Sequence, residues 1–347
     1  CDGCSDGGHM RRNYQNIPRY VPHAASGHAL NQNESQYPLP ERLERAIRGV
    51  SLEALSRYPV EELLALKASY ADYAGVEPTQ LMVGSGSDEL LAILSQAILD
   101  TEDRVVAPAP DFSMYGIYTQ IARGHFTQPD EQGLRYETLI EVIRATEPKL
   151  VLISNPNNPT GKMWTLDELS DIATRVPYLV VDEAYIDFTM KDSFVSRLSE
   201  YPNVIILRTL SKAFGLANLR IGFMIASEEI IEQIDRFRSP FNVSGLSAAV
   251  ANVVLRDETY IQESIQFHTA QREKLTDLLR PIGEILPSRA NFIYVKTDDS
   301  EGWASRFLEK GVHVRAFPDG LRVSAGTDEA YALIQQTIEE VNSVENS

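Results

Sequence analysis

The sequence predicts an α/β fold: a mostly parallel seven-stranded sheet with helices on both faces, followed by a smaller α+β domain at the C-terminal end. Three observations carry this expectation. Short apolar runs recur between residues 81 and 226, helical patterns separate most of them, and the pattern changes after residue 240. Strands that read as unbroken apolar runs are buried on both faces, and alternation with helices makes their connections crossovers, so the sheet is largely parallel.

In chain order, residues 61–74 (EELLALKASYADYA) place apolar side chains at helical spacing and stop at Gly75, a good helix end. The expected strands are 81–83 (LMV), 104–107 (RVVA), 125–128 (HFTQ, the weakest), 150–154 (LVLIS), 178–182 (YLVVD), 204–208 (VIILR) and 221–226 (IGFMIA). Helices are expected at 88–99 and 165–175. Beyond residue 240, a long helical region at 245–280 leads to strands near 291–296, 312–315 and 321–324, then a closing helix at 327–343. The expected divisions are an N-terminal arm at 10–40, a large domain at 41–240 and a small domain at 241–347. The opening CDGCSDGGHM holds both cysteines, Cys1 and Cys4, but no strand–helix unit follows and no second ligand pair exists, so a redox or metal reading is weak. Its Gly-Gly-His-Met ending reads as an expression remnant before a native start, and residues 1–9 are excluded from the functional argument.

An apolar fraction of 43% and a charged fraction of 23% are those of an ordinary globular protein. No apolar run approaches the roughly 20 residues that span a bilayer, and nothing near the N-terminus reads as a secretory signal, so a cytoplasmic protein without a membrane partner is expected. The net charge of -17 argues against nucleic acid as a partner. It leaves room for a small anionic ligand held by a few arginines.

The unusual residues fall just past the ends of expected strands, which is where an open parallel sheet binds ligands. Gly84-Ser85-Gly86-Ser87-Asp88 follows the first strand and opens a helix. Small residues there let backbone N–H groups approach a phosphate, although a plain strand–helix turn with a polar cap would look the same. Asn155-Pro156-Asn157-Asn158-Pro159-Thr160-Gly161 is a rigid loop offering amide donors and acceptors. Asp182-Glu183-Ala184-Tyr185 closes an apolar strand, where a buried carboxylate is costly unless a cation or donors meet it; a helix cap is the plainer use. Thr209-Leu210-Ser211-Lys212 follows another strand, with Arg220 beyond, and a lone loop lysine is ordinarily just solvated.

As an ordered set, N-P-N-N-P-T-G, D-E-A-Y, S-K and a following arginine resemble the fold type I pyridoxal-phosphate enzymes of the aspartate-aminotransferase-like superfamily, from about residue 30 to about 340. The resemblance implies pyridoxal 5′-phosphate as cofactor, carried covalently by Lys212, whose freed amine then moves a proton between substrate and cofactor carbons. It implies that Asp182 keeps the ring nitrogen protonated and that Asn158 and Tyr185 hydrogen-bond the ring oxygen. Gly86, Ser87, Asp88, Thr209, Ser211 and Arg220 would hold the phosphate, and Phe112 would stack on the ring. Asn31-Gln32-Asn33-Glu34-Ser35, Arg57-Tyr58-Pro59 and Leu321-Arg322-Val323-Ser324-Ala325-Gly326-Thr327 are further similar to the histidinol-phosphate aminotransferase family. That likeness implies a step of histidine biosynthesis, with glutamate as amino donor and a keto acid as acceptor. It also implies a homodimer in which Tyr58 reaches the neighbouring site, and substrate contacts from Arg322, Arg315 and Asn33. A guanidinium fork suits a carboxylate or phosphate, while Arg315 could equally lie along the surface.

Threonine-phosphate decarboxylases share most of these motifs, and an aminotransferase for aromatic or other amino acids is a further alternative. A non-catalytic cofactor-binding regulator is disfavoured by the intact set Lys212, Asp182 and Tyr185, and by the lack of length for a second, basic domain. A nucleotide-dependent dehydrogenase is weaker still, since no G-x-G-x-x-G follows the first strand.

Overall fold

Residues 17–18, 27–129 and 134–345 are described by the computed structural model. The expected remnant at 1–9 and most of residues 10–26 lie outside the described residues. The chain enters through a two-residue strand, β1 (His28–Ala29), and then α1 (Glu41–Arg48) and α2 (Val60–Ala74). There follow β2 (Leu81–Gly84), α3 (Gly86–Ile98), β3 (Arg104–Val106), α4 (Met114–Ile121), β4 (His125–Thr127), α5 (Tyr136–Thr146) and β5 (Leu150–Ser154). Next come α6 (Leu166–Ala173), β6 (Tyr178–Asp182), β7 (Val204–Thr209), β8 (Gly222–Ile225), α7 (Glu228–Asp235), α8 (Gly245–Leu255) and α9 (Glu258–Leu279). The C-terminal elements are β9 (Glu284–Leu286), β10 (Phe292–Lys296), α10 (Ser300–Glu309), β11 (Val312–His313), β12 (Arg315–Phe317), β13 (Gly320–Ser324) and α11 (Asp328–Glu345).

The seven expected strands form one sheet in the order β2-β8-β7-β6-β5-β3-β4. β8 runs antiparallel to both of its neighbours, and every other pairing is parallel. Period-two alternation then sorts each strand between two cores. Val151, Ile153, Leu179, Val181, Val204 and Ile206 face the side covered by α2, α5, α6 and α8. Leu150, Leu152, Val180, Ile205 and Leu207 face the side covered by α3, α4 and α7. Both faces are covered, so unbroken apolar strands are what burial requires; each such side chain contributes about 1.5–3 kcal/mol. Helix ends obey local chemistry. Gly75 closes α2 with φ 71°, and Thr165 opens α6 through a reciprocal capping box with Glu168.

The C-terminal unit is a four-stranded antiparallel sheet, β12-β13-β10-β9, against the end of α9, α10 and α11. Two expectations need correction here. The helical region at 245–280 is two helices, because Asp257 caps a new start by accepting from the N–H of Tyr260 at 2.9 Å. The strand near 312–315 is also two: β11 pairs in parallel with β1, whereas Arg315 begins β12. Finally, Val243, Ala248, Ala251, Val254, Tyr260 and Ile261 pack into the large sheet's core, and Leu275 and Leu279 pack into the small one. The change of core falls inside α9, since a shift in sequence pattern marks a change of element type and not which core an apolar face meets. The described part of the arm is tied down: Leu30 is buried in the small core, and its carbonyl accepts from the N–H of Ser324 at 2.9 Å.

Candidate active site

The parallel strands β5, β6 and β7 end at one edge of the sheet, at Ser154, Asp182 and Thr209, and β2 ends there at Gly84. The first part of the site is an anion cradle at the start of α3. Ser85 precedes this helix without capping it by its side chain, so the first N–H groups are left for another acceptor. Gly86 has φ 78°, and a Cβ there would overlap Nη2 of Arg220. A Cβ on Gly222, opposite Gly84 in the β2–β8 pair, would lie 2.6 Å from the N of Ser87. These glycines let backbone and guanidinium close on one small volume. Arg220 itself has φ 53° and stands 3.5 Å from Asp88, both side chains about half exposed. Thr209 and Ser211 are buried beside it, the first hydroxyl donating to the second at 2.9 Å.

Asp182 is 4% exposed. Its carboxylate accepts from the hydroxyl of Tyr115 at 2.9 Å and from the N–H of Ala184 at 3.2 Å. Burial raises its pKa to about 6, against the lowering effect of the Tyr115 hydrogen bond. No arginine or lysine pairs with it among the described residues, so this is a buried carboxylate still lacking a cation. Phe112 stands edge-on to Tyr115, with ring centroids 5.6 Å apart. Its N–H donates to Asp111 at 2.7 Å, and Asp111 also accepts from the Ser154 hydroxyl. The N–H of Asn158 donates to that same hydroxyl oxygen at 3.0 Å, which fixes the loop after β5.

Three consecutive arm residues meet the candidate residues from above. The carbonyl of Asn31 accepts from Nη2 of Arg322 at 2.7 Å, and the carbonyl of Gln32 accepts from Nζ of Lys212 at 3.0 Å. Nδ2 of Asn33 donates to the Tyr185 hydroxyl at 2.9 Å, and Nζ of Lys212 lies 5.7 Å from the centre of the Tyr185 ring. Arg322 also donates through Nη1 to Oδ1 of Asn158, and its guanidinium lies 5.6 and 5.8 Å from the rings of Phe292 and Phe317. Arg315 is directly opposite Arg322 in the β12–β13 pair, so the two side chains leave the same face. Arg315 is exposed and forms no ion pair among the described residues.

Two expected residues sit apart from this cluster or differ in kind. Tyr58 is 76% exposed and stacks on Phe241 at 4.6 Å, touching none of the others. Asn33, expected at the substrate, is 1% exposed, and its amide and backbone groups make hydrogen bonds within the protein. Sequence reasoning missed Tyr115, Asp111, Ser154 and Gly222, and marked Ser324 only as part of the motif around Arg322. Only Gly222, a glycine opposite a glycine-rich turn, left a local signal.

The arrangement fits a phosphorylated pyridine on two counts: an uncapped helix start beside Arg220 suits the phosphate, and the carboxylate lacking a cation suits a protonated ring nitrogen. Comparison with known proteins agrees. A family model described as aminotransferase class I and II matches residues 26–336. A histidinol-phosphate aminotransferase of Clostridium novyi is 33% identical over 346 residues, covering 95% of this chain and 95% of its own. Among solved structures, a histidinol-phosphate aminotransferase of Sinorhizobium meliloti in complex with pyridoxal-5′-phosphate has a TM-score of 0.81 at 24% identity, covering 90% of this chain and 91% of its own. The L-threonine-O-3-phosphate decarboxylase of Porphyromonas gingivalis has a TM-score of 0.75 at 18% identity, covering 91% and 99%, so the fold is common to both reactions.

Proposed function

The chain belongs to the class I and II aminotransferases, and from that premise we propose that it exchanges the amino group between histidinol phosphate and 2-oxoglutarate, giving imidazole-acetol phosphate and glutamate, as a step of histidine biosynthesis. Pyridoxal 5′-phosphate is the cofactor, and when bound it supplies the electron-withdrawing ring on which amino transfer becomes possible. The observation that carries the reading is the arm: Asn31, Gln32 and Asn33 bind Arg322, Lys212 and Tyr185 in turn, which brings the anion-gripping, lysine and hydroxyl groups to one sheet edge.

Each residue has a task its chemistry suits. Nζ of Lys212 would hold the cofactor covalently and, when free, would move the proton at the carbon bearing the amino group. The Asp182 carboxylate would keep the ring nitrogen protonated, and Phe112 would stack on the ring. Asn158 and Tyr185 donate to the ring oxygen. The N–H groups of Gly86, Ser87 and Asp88, with Thr209, Ser211 and Arg220, bind the phosphate. Arg322 grips the anionic end of either substrate, and the exposed Arg315 on the same face adds a second positive charge.

The same reading makes the enzyme a cytoplasmic homodimer in which Tyr58 completes the partner's cofactor site. Tyr58 stands among exposed apolar side chains, Leu52, Leu55, Val60, Leu64 and Phe241, a surface that suits burial against a second copy. No helix among the described residues is long and apolar enough to cross a membrane.

The test is product analysis with holoenzyme. Histidinol phosphate and 2-oxoglutarate should yield glutamate and imidazole-acetol phosphate in equal amounts, without carbon dioxide. Carbon dioxide released from threonine phosphate, with no glutamate formed from histidinol phosphate, would replace this reading by the decarboxylase.

A further inference from the structure

A tyrosine hydroxyl has one proton to donate and lone pairs to accept with. At Tyr185 the accepting side is used by the arm, through Nδ2 of Asn33 at 2.9 Å. The sense of that bond is fixed one step further out. The backbone N–H of Asn33 donates to Oγ of Ser324 at 3.0 Å, and the Ser324 hydroxyl donates back to Oδ1 of Asn33 at 2.9 Å. Oδ1 is therefore the accepting end of the amide and Nδ2 its donating end. Turning the amide over would strand the Ser324 proton in a site with 0% exposure, where a donor left unpaired is costly. The backbone of Asn33 is pinned as well: it holds φ 57°, and its carbonyl accepts from Nδ2 of Asn291 at 3.0 Å. Among the described residues nothing accepts the proton of Tyr185.

We infer that Asn33 and Ser324 are positioning residues that make the Tyr185 hydroxyl a one-way donor into the site, toward the ring oxygen of pyridoxal phosphate. The inference rests on the proposed cofactor role of Tyr185 and adds its control. Ser324 lies two residues after Arg322 on β13, on the same face, so the strand that grips the substrate anion also holds the hydrogen-bond relay. The arm supplies the other half. A chain whose arm is displaced keeps Tyr185 but loses the direction of its proton.

The test is a pH titration of the visible absorbance of holoenzyme. Tyr185→Phe removes a donor from the ring oxygen, leaving more negative charge beside the lysine–cofactor linkage, and should raise the absorbance midpoint by about one pH unit. Asn33→Asp suits the left-handed backbone as well as Asn does, and its carboxylate would take the Tyr185 proton. It should raise the midpoint by at least half as much, and add nothing in the Tyr185→Phe background. Ser324→Ala introduces no charge and should move the midpoint in the same direction by a smaller amount. The inference is overturned if Asn33→Asp and Ser324→Ala leave the midpoint unmoved while Tyr185→Phe shifts it. It is equally overturned if Asn33→Asp acts as strongly without the tyrosine hydroxyl as with it. A wild-type chain that takes up no pyridoxal phosphate would instead overturn the proposed function, and this inference with it.

Discussion

Replacing Asp182 by Asn should make the cofactor-free protein more stable at neutral pH while weakening its hold on the cofactor. Burial raises the Asp182 pKa from an ordinary 3.8 to about 6, so the folded chain binds this proton more tightly than the unfolded chain does. Stability then falls as pH rises from 3.8 to about 6, because across that window the folded state carries the extra proton; below it no penalty exists, and above it the penalty is complete. At about 1.4 kcal/mol for each pH unit, the full penalty is about 3 kcal/mol. An asparagine side chain keeps the size of the aspartate and can still accept from the N–H of Ala184, so Asp182→Asn should recover most of that energy. For a chain of 347 residues, with an unfolding entropy of about 2.1 cal/mol/K per residue, the gain is about 4 °C in Tm. The assay is thermal unfolding of both cofactor-free proteins from pH 4 to pH 8. Their difference in Tm should open between pH 4 and 6 and stay constant above. With pyridoxal phosphate added the order should reverse, since only the carboxylate can pair with a protonated ring nitrogen. A variant no more stable than the wild type at pH 8 would refute the idea that Asp182 is a buried charge awaiting a cation.

Lys212→Ala should abolish turnover and the covalent attachment of cofactor, checked by steady-state assay and by intact mass after borohydride reduction; retained turnover would sink the lysine's role. Gly86→Ala puts a Cβ at φ 78° and into Nη2 of Arg220, so the guanidinium must withdraw from the cradle. Pyridoxal-phosphate affinity should drop about tenfold by equilibrium titration, with about 1 kcal/mol of strain appearing in the cofactor-free stability. Arg322→Ala should weaken glutamate binding by about 2–5 kcal/mol, the cost of breaking a buried charge pair, read as a rise in the glutamate KM. An unchanged KM would place the anion site elsewhere.

What the sequence made legible is local in character. Lys212, Asp182, Asn158 and Arg220 stand out because each follows an apolar strand, and a parallel sheet collects such positions at one edge. The direction of β8 left no such mark, since IGFMIA reads the same whether the strand runs up or down. Partnerships across long separations were equally silent. Tyr115 meets Asp182 from 67 residues away, and Asn33 meets Ser324 across 291. Arg208 reads as the charged end of a strand, yet it has 0% exposure and pairs with the equally buried Glu183 at 3.0 Å. Composition and periodicity report which side chains want to be buried, not which polar group will answer them there. For the same reason the motif marked Asn33 without saying that its amide meets Tyr185 and Ser324.

On the proposed reading, Arg322 would connect anion binding to cofactor orientation through one amide. Its Nη1 donates to Oδ1 of Asn158, and the Asn158 N–H2 group has no acceptor among the described residues. An amide whose oxygen is held from the C-terminal sheet can only donate toward the site, so Asn158 and Tyr185 are polarised in the same sense by residues two apart on β13. A substrate carboxylate that takes Arg322 must compete with two neutral acceptors, Oδ1 of Asn158 and the carbonyl of Asn31. The charged acceptor is favoured because a carboxylate adds direct charge attraction and a bidentate fork to what Arg322 already makes to neutral oxygens. On that reading, loosening of the Asn158 contact would free its amide to turn and so would alter donation to the ring oxygen. Anion binding at Arg322 and donation at the ring oxygen would then, on the proposed reading, be set by the same few atoms.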